Sequence, residues 1–281
     1  MPIASKRSRA VFKKLERDLV DLSAKPRARS VHRFSTGTRR LQILLEKLSP
    51  TLHHSEKKLL KMLGRIRKRA GKVRDLDMQS AALRSLKVPR EPRRKAQLVN
   101  HLIELRSRQE NKLRKDLDKP TIREIRKRLK RAAKRFHPEA GRDPLAVARA
   151  MLESLQRSNT PLTETVLHQY RILTKRARYA AEFANPSREA ENFIAQMKHL
   201  QDAIGDWHDW LTLTQTASQH LGDVRESSLV AELHNVTGAK FRHAVALLSQ
   251  TRAKPASTAK RRAPAASPAP AIVSHAAASA A

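Results

Sequence analysis

The segment VHRFSTGTRRLQILLE, beginning at Val31, returns in altered form as LHQYRILTKRARYAAEF from Leu167. Each copy sets a histidine ahead of cations at helical spacing, inside a longer segment that is apolar on one side and basic on the other. Repetition on this scale predicts two similar helical units, each burying an apolar face against its neighbours and turning its charge toward a shared partner. A second element recurs in GKVRDLDM from Gly71 and GDWHDWLT from Gly205, so that Asp75 corresponds to Asp209 and Arg74 to His208.

Apolar residues recur at a period of 3.6 rather than 2, only 4% of residues are aromatic and glycine occurs seven times, which together predict an all-α chain. Prolines and capping residues divide it. Helices are expected at about Lys6–Ser23, Ser30–Leu48, Glu56–Leu86 and Arg93–Asp118, and a basic connecting helix at Thr121–Phe136. Asp143 followed by Pro144 reads as an N-cap with proline at the first helical position, opening the second unit. Thr160-Pro161 gives the same signal before the second histidine helix, which should end near Pro186. Ser187 then caps a long helix, and Glu226–Leu248 is the last. The expected organisation is one domain over residues 1–252, with a first bundle at about 5–120, a connecting helix at about 121–137 and a second bundle at about 143–250. Residues 253–281 are rich in Ala, Pro and Lys/Arg and read as a disordered tail, which is either an inert linker or, through its Lys260-Arg261-Arg262 cluster, an accessory contact to a polyanion or granule.

The chain has 281 residues, enough for a folded body that buries about 70–75% of its unfolded surface. Its 59 Lys and Arg against 26 Asp and Glu leave a formal charge of +33. Self-repulsion of that size destabilises a compact state unless an anion offsets it, so an acidic partner, an extended polyanion above all, is expected. The absence of cysteine excludes disulfides, thiolate metal sites and thiol nucleophiles. No apolar run matches a secretory signal or a membrane span, and the expected location is the cytoplasm.

On a helical wheel His168, Arg171, Lys175 and Arg178 fall in one arc, opposite Leu173, Ala177, Ala180 and Ala181. In the first copy His32, Arg33, Arg39 and Arg40 form a broader basic face, while Phe34, Leu41, Leu44, Leu45 and Leu48 point the other way. Like charges one turn apart cost about 0.2–0.5 kcal/mol each, which a bound phosphate chain removes. Arginine suits such a ligand because its planar fork donates two hydrogen bonds to one phosphate, and Lys175 adds a more adaptable point charge. Asp75 and Asp209 are expected to pair with neighbouring cations and orient them.

These residues resemble the CHAD family, the conserved histidine α-helical domain, over about Lys6 to Ser249. His32 with Arg39-Arg40 is similar to the family's first histidine helix, Val73-Arg74-Asp75-Leu76-Asp77 to its arginine-aspartate motif, Leu167-His168 through Arg178-Tyr179 to its second histidine helix, and Leu200-Gln201 with Gly205 and Asp209 completes the set. The resemblance implies two pseudo-symmetric four-helix bundles whose basic faces line a shared groove or pore that binds inorganic polyphosphate. Carried over by position, the implied phosphate contacts are His32, Arg33, Arg39 and Arg40 in one half and His168, Arg171, Lys175, Arg176 and Arg178 in the other, with Arg65, Arg74 and Lys198 as further candidates. The first copy departs from the family pattern at Ser35 and Gln42, where basic residues are frequent, so the first half is expected to contact fewer phosphates.

Neither the Glu-x-Glu-x-Lys strand of the triphosphate tunnel domains fused to some relatives nor a Gly-rich phosphate loop is present, so binding without catalysis, with no cofactor and no bound metal, is the expectation. His168, His208-Asp209 and Asp223 superficially resemble the ligands of a helical metal phosphohydrolase, but His208 corresponds to Arg74 in the repeat, and duplication explains the pair better than a metal centre. Nonspecific nucleic-acid binding is the stronger alternative, since any such charge attracts DNA or RNA by counterion release. Attachment to a polyphosphate storage granule is a third expectation, compatible with polymer binding.

Overall fold

The computed structural model describes residues 5–87, 91–156 and 160–253. The expected C-terminal tail therefore lies outside the described residues, apart from its first residue, which ends the last helix. Among the described residues the structure is all-helical, with nine helices: α1 (Ser5–Ala24), α2 (Ala28–Lys47), α3 (His54–Ser85), α4 (Pro92–Asp116), α5 (Lys119–Arg135), α6 (Pro144–Gln156), α7 (Glu164–Ala181), α8 (Arg188–Leu221) and α9 (Ser228–Ala253). None of them is long and apolar enough to cross a membrane.

Local chemistry sets these boundaries. Ser187 accepts the Ala190 N–H at 3.1 Å and starts α8 as expected, and Asp143 accepts the Leu145 N–H at 3.0 Å ahead of Pro144. Asp118 caps α5 through the Thr121 N–H at 2.8 Å. The second histidine helix differs from expectation at both ends. Thr163, not Thr160, is its cap, with its hydroxyl 3.4 Å from the Val166 nitrogen, and the helix stops at Ala181, well before Pro186, where a short turn brings Glu182 round.

The repeat in sequence is a repeat in packing. Consecutive helices pack in the order α1 on α2, α2 on α3 and α3 on α4, and again α6 on α7, α7 on α8 and α8 on α9. The buried positions correspond. In α3 they include Leu63, Ile66, Ala70, Val73, Leu76, Gln79 and Leu83; in α8 they include Met197, Leu200, Ile204, Trp207, Trp210, Leu213 and Ala217, at the same spacing. Val31, Phe34, Thr38 and Leu41 of α2 likewise match Leu167, Tyr170, Thr174 and Ala177 of α7. Spacing of three and four residues keeps one stripe turned inward along each helix.

The equivalent helices also meet each other, α2 against α7 and α3 against α8, while α5 lies on α1 and α3. One apolar cluster runs from Phe12 and Leu15 through Ile66 and Tyr170 to Leu248, so the two units share a core. A smaller cluster joins the far ends of α3 and α8 through Leu83, Leu98, Leu213 and Leu229. At that end Glu91 takes hydrogen bonds from the Leu229 N–H at 3.0 Å, the Ser228 N–H at 3.2 Å and the Ser227 hydroxyl at 2.7 Å, which tie the start of α9 to the start of α4 and hold this carboxyl below its ordinary pKa. The crossing of α2, α3, α7 and α8 is where the repeated motifs converge.

Candidate functional site

At that crossing lies a cavity of about 510 Å³. Arg39 enters it from α2, Arg67 and Arg74 from α3, and Arg171 and Lys175 from α7, with Lys68 and Lys72 at its edge. Asp75, Asp202, Asp206 and Asp209 bring carboxylates to the wall, which Ser35, Gly71, Met78, Gln201, Gly205 and His208 complete. A second recess of about 290 Å³ adjoins it and shares Arg39, Arg67, Arg171 and Lys175. Four cations thus line both spaces and form a waist between them.

Among the described residues, none of Arg39, Arg67, Arg74, Arg171 and Lys175 makes an ion pair within 4 Å, and the Nε–H groups of Arg67 and Arg171 are buried without an acceptor. A buried donor without a partner costs about 1–3 kcal/mol. Crowded cations stripped of hydration resist being charged, and the effect is largest at Lys175. Burial first, then the charges of Arg171, Arg39 and Arg74, bring its pKa down to about 7. Burial also lowers Arg67 and Arg171, at Arg171 against the opposing pull of Asp209 and Asp75, and the charge of Arg39 lowers each further. The preorganised positive potential suits an anion with several acceptor oxygens.

Asp75 and Asp209, equivalent in the repeat, face the same space. Loss of hydration raises both pKa values against the pull of Arg171, and the charge of Asp75 raises Asp209 further. Among the described residues neither forms a direct ion pair with an Arg or Lys, so the expected pairing is an electrostatic coupling through the cavity rather than a contact. His208 stands where Arg74 stands in the first unit. Burial and then Arg171 depress its pKa to about 4, so it is a neutral wall residue, stacked on His168 at a centroid distance of 5.8 Å. Among the described residues no three His, Asp or Glu side chains come together so that they could hold a metal ion.

The predicted residues divide into three groups. Arg39, Arg74, Arg171 and Lys175 are brought together in the cavity. His32 and His168 are exposed and do not line it; His168 stacks on the wall residue His208, and partial loss of hydration and then the charge of Arg74 lower the His32 pKa. The remaining arginines are engaged by carboxylates outside the cavity. Arg40 meets Glu182 at 2.6 Å, and Arg178 meets the same carboxylate at 2.9 Å and Gln201 at 3.0 Å. Arg33 is held by Asp18 at 3.4 Å and by Asp21, Arg176 by Glu46 at 3.8 Å, and Arg65 by Asp116 at 3.7 Å. Lys198 is exposed and lines no described cavity.

Arg40, Arg178, His32 and Arg33 do share a separate cleft of about 540 Å³ against α1, with Arg7 and Lys14, but Asp18 and Glu182 line it too. Arg178 thus leaves the arc that it shares with Arg171 and Lys175 on an ideal wheel, because it lies one turn further along α7, where Gln201 and Glu182 take its guanidinium. Sequence reasoning missed Arg67, Lys68 and Lys72. The signal for them is their position on α3: Arg67, Gly71, Arg74 and Met78 repeat at helical spacing on the edge of the buried stripe. Contrary to the expectation of fewer contacts from the first half, the first unit supplies most of the cavity's cations, because α3 contributes Arg67, Lys68, Lys72 and Arg74 where the histidine helix contributes only Arg39.

The family model described as CHAD domain matches residues 6–218. PptA from Streptomyces chartreusis has a similar structure, with a TM-score of 0.68 at 16% identity over 90% of this chain and 100% of that one. The crystal structure of the CHAD domain from the plant Ricinus communis aligns with a TM-score of 0.57 at 18% identity, over 91% of this chain and 89% of that chain. At these identities the likeness is one of fold. No curated protein matches the sequence.

Proposed function

From the chain's membership of the CHAD domain family we propose that it binds inorganic polyphosphate without catalysing its turnover, in the cavity between its two helical units. One observation carries this reading: Arg39, Arg67, Arg74, Arg171 and Lys175 arrive from three helices at one cavity and have no ion-pair partner there. Successive phosphates of one chain meet successive cations from both units, and each contact raises the effective concentration of the next. The paired cations around Glu182 and Asp18 stiffen the frame.

Nucleic acid is the competing polyanion. Tyr170, Tyr179, Trp207 and Trp210 are buried, so the aromatic platforms on which single-stranded bases stack are not offered by these residues. Nonspecific attraction to duplex DNA at low salt follows from the charge alone.

Competitive titration of polyphosphate against duplex DNA over a salt series tests the reading, with the Arg39→Ala/Lys175→Ala variant beside it. Preference for polyphosphate that survives physiological salt is expected. The double variant should lose about 100-fold or more in affinity, given ~1.5–3 kcal/mol per hydrogen bond to a charged group. Arg65→Ala, which removes only an exposed ion pair, should change affinity by less than about threefold. Equal affinity for both polymers, or an unimpaired double variant, overturns the proposal. A phosphate-release assay with added divalent metal tests the absence of turnover, and release lost in His208→Ala would establish hydrolysis instead. Attachment to polyphosphate granules extends the reading: a chain truncated after Arg252 should remain on granules if the helical body is the anchor and leave them if the tail is.

A further inference from the structure

We propose that Lys175 is a site of covalent modification, whose amine takes the acyl group from small acyl phosphates that enter the cavity. Only the effect of this modification on polymer binding rests on the polyphosphate reading above. Lys175 lies where the two spaces meet and lines both of them. It is half-buried and, among the described residues, makes no ion pair within 4 Å. Its side chain is therefore neither tied to a carboxylate nor closed off from a small molecule.

An amine withdrawn from water and set among cations is held as the free base, the form that attacks a carbonyl carbon. At pH 7.5 a pKa of about 7 leaves about three quarters of Lys175 uncharged, against about 0.1% of a lysine at the ordinary 10.5. The charged groups that share the cavity with it come from every helix packed there: Arg39 from α2, Arg67, Arg74 and Asp75 from α3, Arg171 from α7 and Asp209 from α8. At the mouth Lys68 and Lys72 of α3 and Asp202 and Asp206 of α8 offset one another.

The same surroundings choose the reagent. Guanidinium groups bind a phosphoryl dianion in preference to a neutral group, and the cavity of about 510 Å³ takes in a small acyl phosphate whole, with its carbonyl in the space that Lys175 lines. A bound dianion offsets part of the arginines' repulsion of the ammonium form, but loss of hydration, the larger cause of the low pKa, remains. In the reaction the Nζ lone pair forms a bond to the carbonyl carbon, and the bond from that carbon to the bridging oxygen breaks. The departing phosphate carries away the proton that Nζ sheds, so that an amide and hydrogen phosphate are produced with no further co-reactant. The amide is uncharged, and it sits at the junction between the two spaces.

The test treats the full-length protein, free of polymer, with acetyl phosphate at pH 7.5 and follows acetylation of each lysine by peptide mass spectrometry. Lys68 and Lys72, exposed at the mouth of the same cavity, are internal standards. Lys175 should react at least about tenfold faster than either, because its gain in free base and the arginines' hold on the phosphoryl group outweigh the weaker nucleophilicity of a less basic amine. A rate no greater than theirs overturns the proposal. With N-hydroxysuccinimidyl acetate, an acyl donor that has no phosphoryl group, the preference for Lys175 should shrink by about threefold or more; an equal preference overturns the assignment to acyl phosphates. Saturating polyphosphate should slow acetylation of Lys175 about tenfold or more, since it fills the cavity and draws a proton to the amine. Selective acetylation that polyphosphate does not slow upholds the modification site and counts against the polyphosphate reading. Protein acetylated at Lys175 should bind polyphosphate with a salt slope lower by about one, a change absent when Lys175→Arg is treated in the same way.

Discussion

Lys175 is the residue at which the cost of the cavity is concentrated, and it makes the site sensitive to pH near neutrality. Its pKa is about 7 in the folded chain against the usual 10.5, because burial and the charges of Arg171, Arg39 and Arg74 oppose its protonation. The folded value lies below the unfolded one, so the unfolded chain binds more protons between them and the free protein gains stability as pH rises from about 7 toward 10.5. A polyphosphate chain has the opposite effect, since its negative charge favours the protonated amine. Binding near pH 7–8 should therefore draw a proton from solution, measurable by calorimetry in buffers of different ionisation enthalpy, and affinity should fall as pH rises through this range. Lys175→Arg keeps the charge throughout and should flatten both dependences. His208, at about 4, stays neutral across the same window and contributes to neither.

At the scale of the helix, close approach is decided by a few small residues. A Cβ on Gly37 of α2 would stand 3.1 Å from Leu15 Cδ1 and 3.6 Å from an Asp18 oxygen of α1, and Leu15 is fully buried with little room to yield. Gly37→Val should cost about 1–3 kcal/mol by overpacking, read as a lower midpoint in chemical unfolding. Gly64 of α3 has nothing within 4 Å of its added Cβ, and Gly64→Ala should instead add up to about 1 kcal/mol through helix propensity. The helices themselves were legible because apolar spacing, Ser187, Asp143 and the prolines act locally. The start of α7 was not, because Thr160-Pro161 and Thr163 compete as caps within four residues and only packing against α6 and α8 decides between them. Arg67, Lys68 and Lys72 escaped notice for a related reason: a basic residue on the edge of a buried stripe reads the same whether water or another helix lies opposite.

The cations predicted to bind separate into arginines paired with carboxylates and a group left unpaired in the cavity, a division that the spacing of the cations alone does not reveal. Glu182 is distant in sequence from Arg40, Glu46 from Arg176 and Asp116 from Arg65, so which cations remain free depends on how the helices are assembled. The repeat pointed to the right helices, α2, α3 and α7, and could not say that Arg40 and Arg178 turn to one carboxylate while Arg39 and Arg171 turn to none. Salt offers a direct count of the free group. The affinity for polyphosphate should fall linearly with the logarithm of salt concentration, each phosphate contact adding a little under one to the slope. Arg39→Ala/Arg171→Ala should reduce that slope by about two, whereas Arg65→Ala/Lys198→Ala should leave it nearly unchanged, although both pairs remove the same formal charge from the chain. Equal reductions would mean that the ligand responds to the charge of +33 as a whole, and the division between frame and site would then have no bearing on binding.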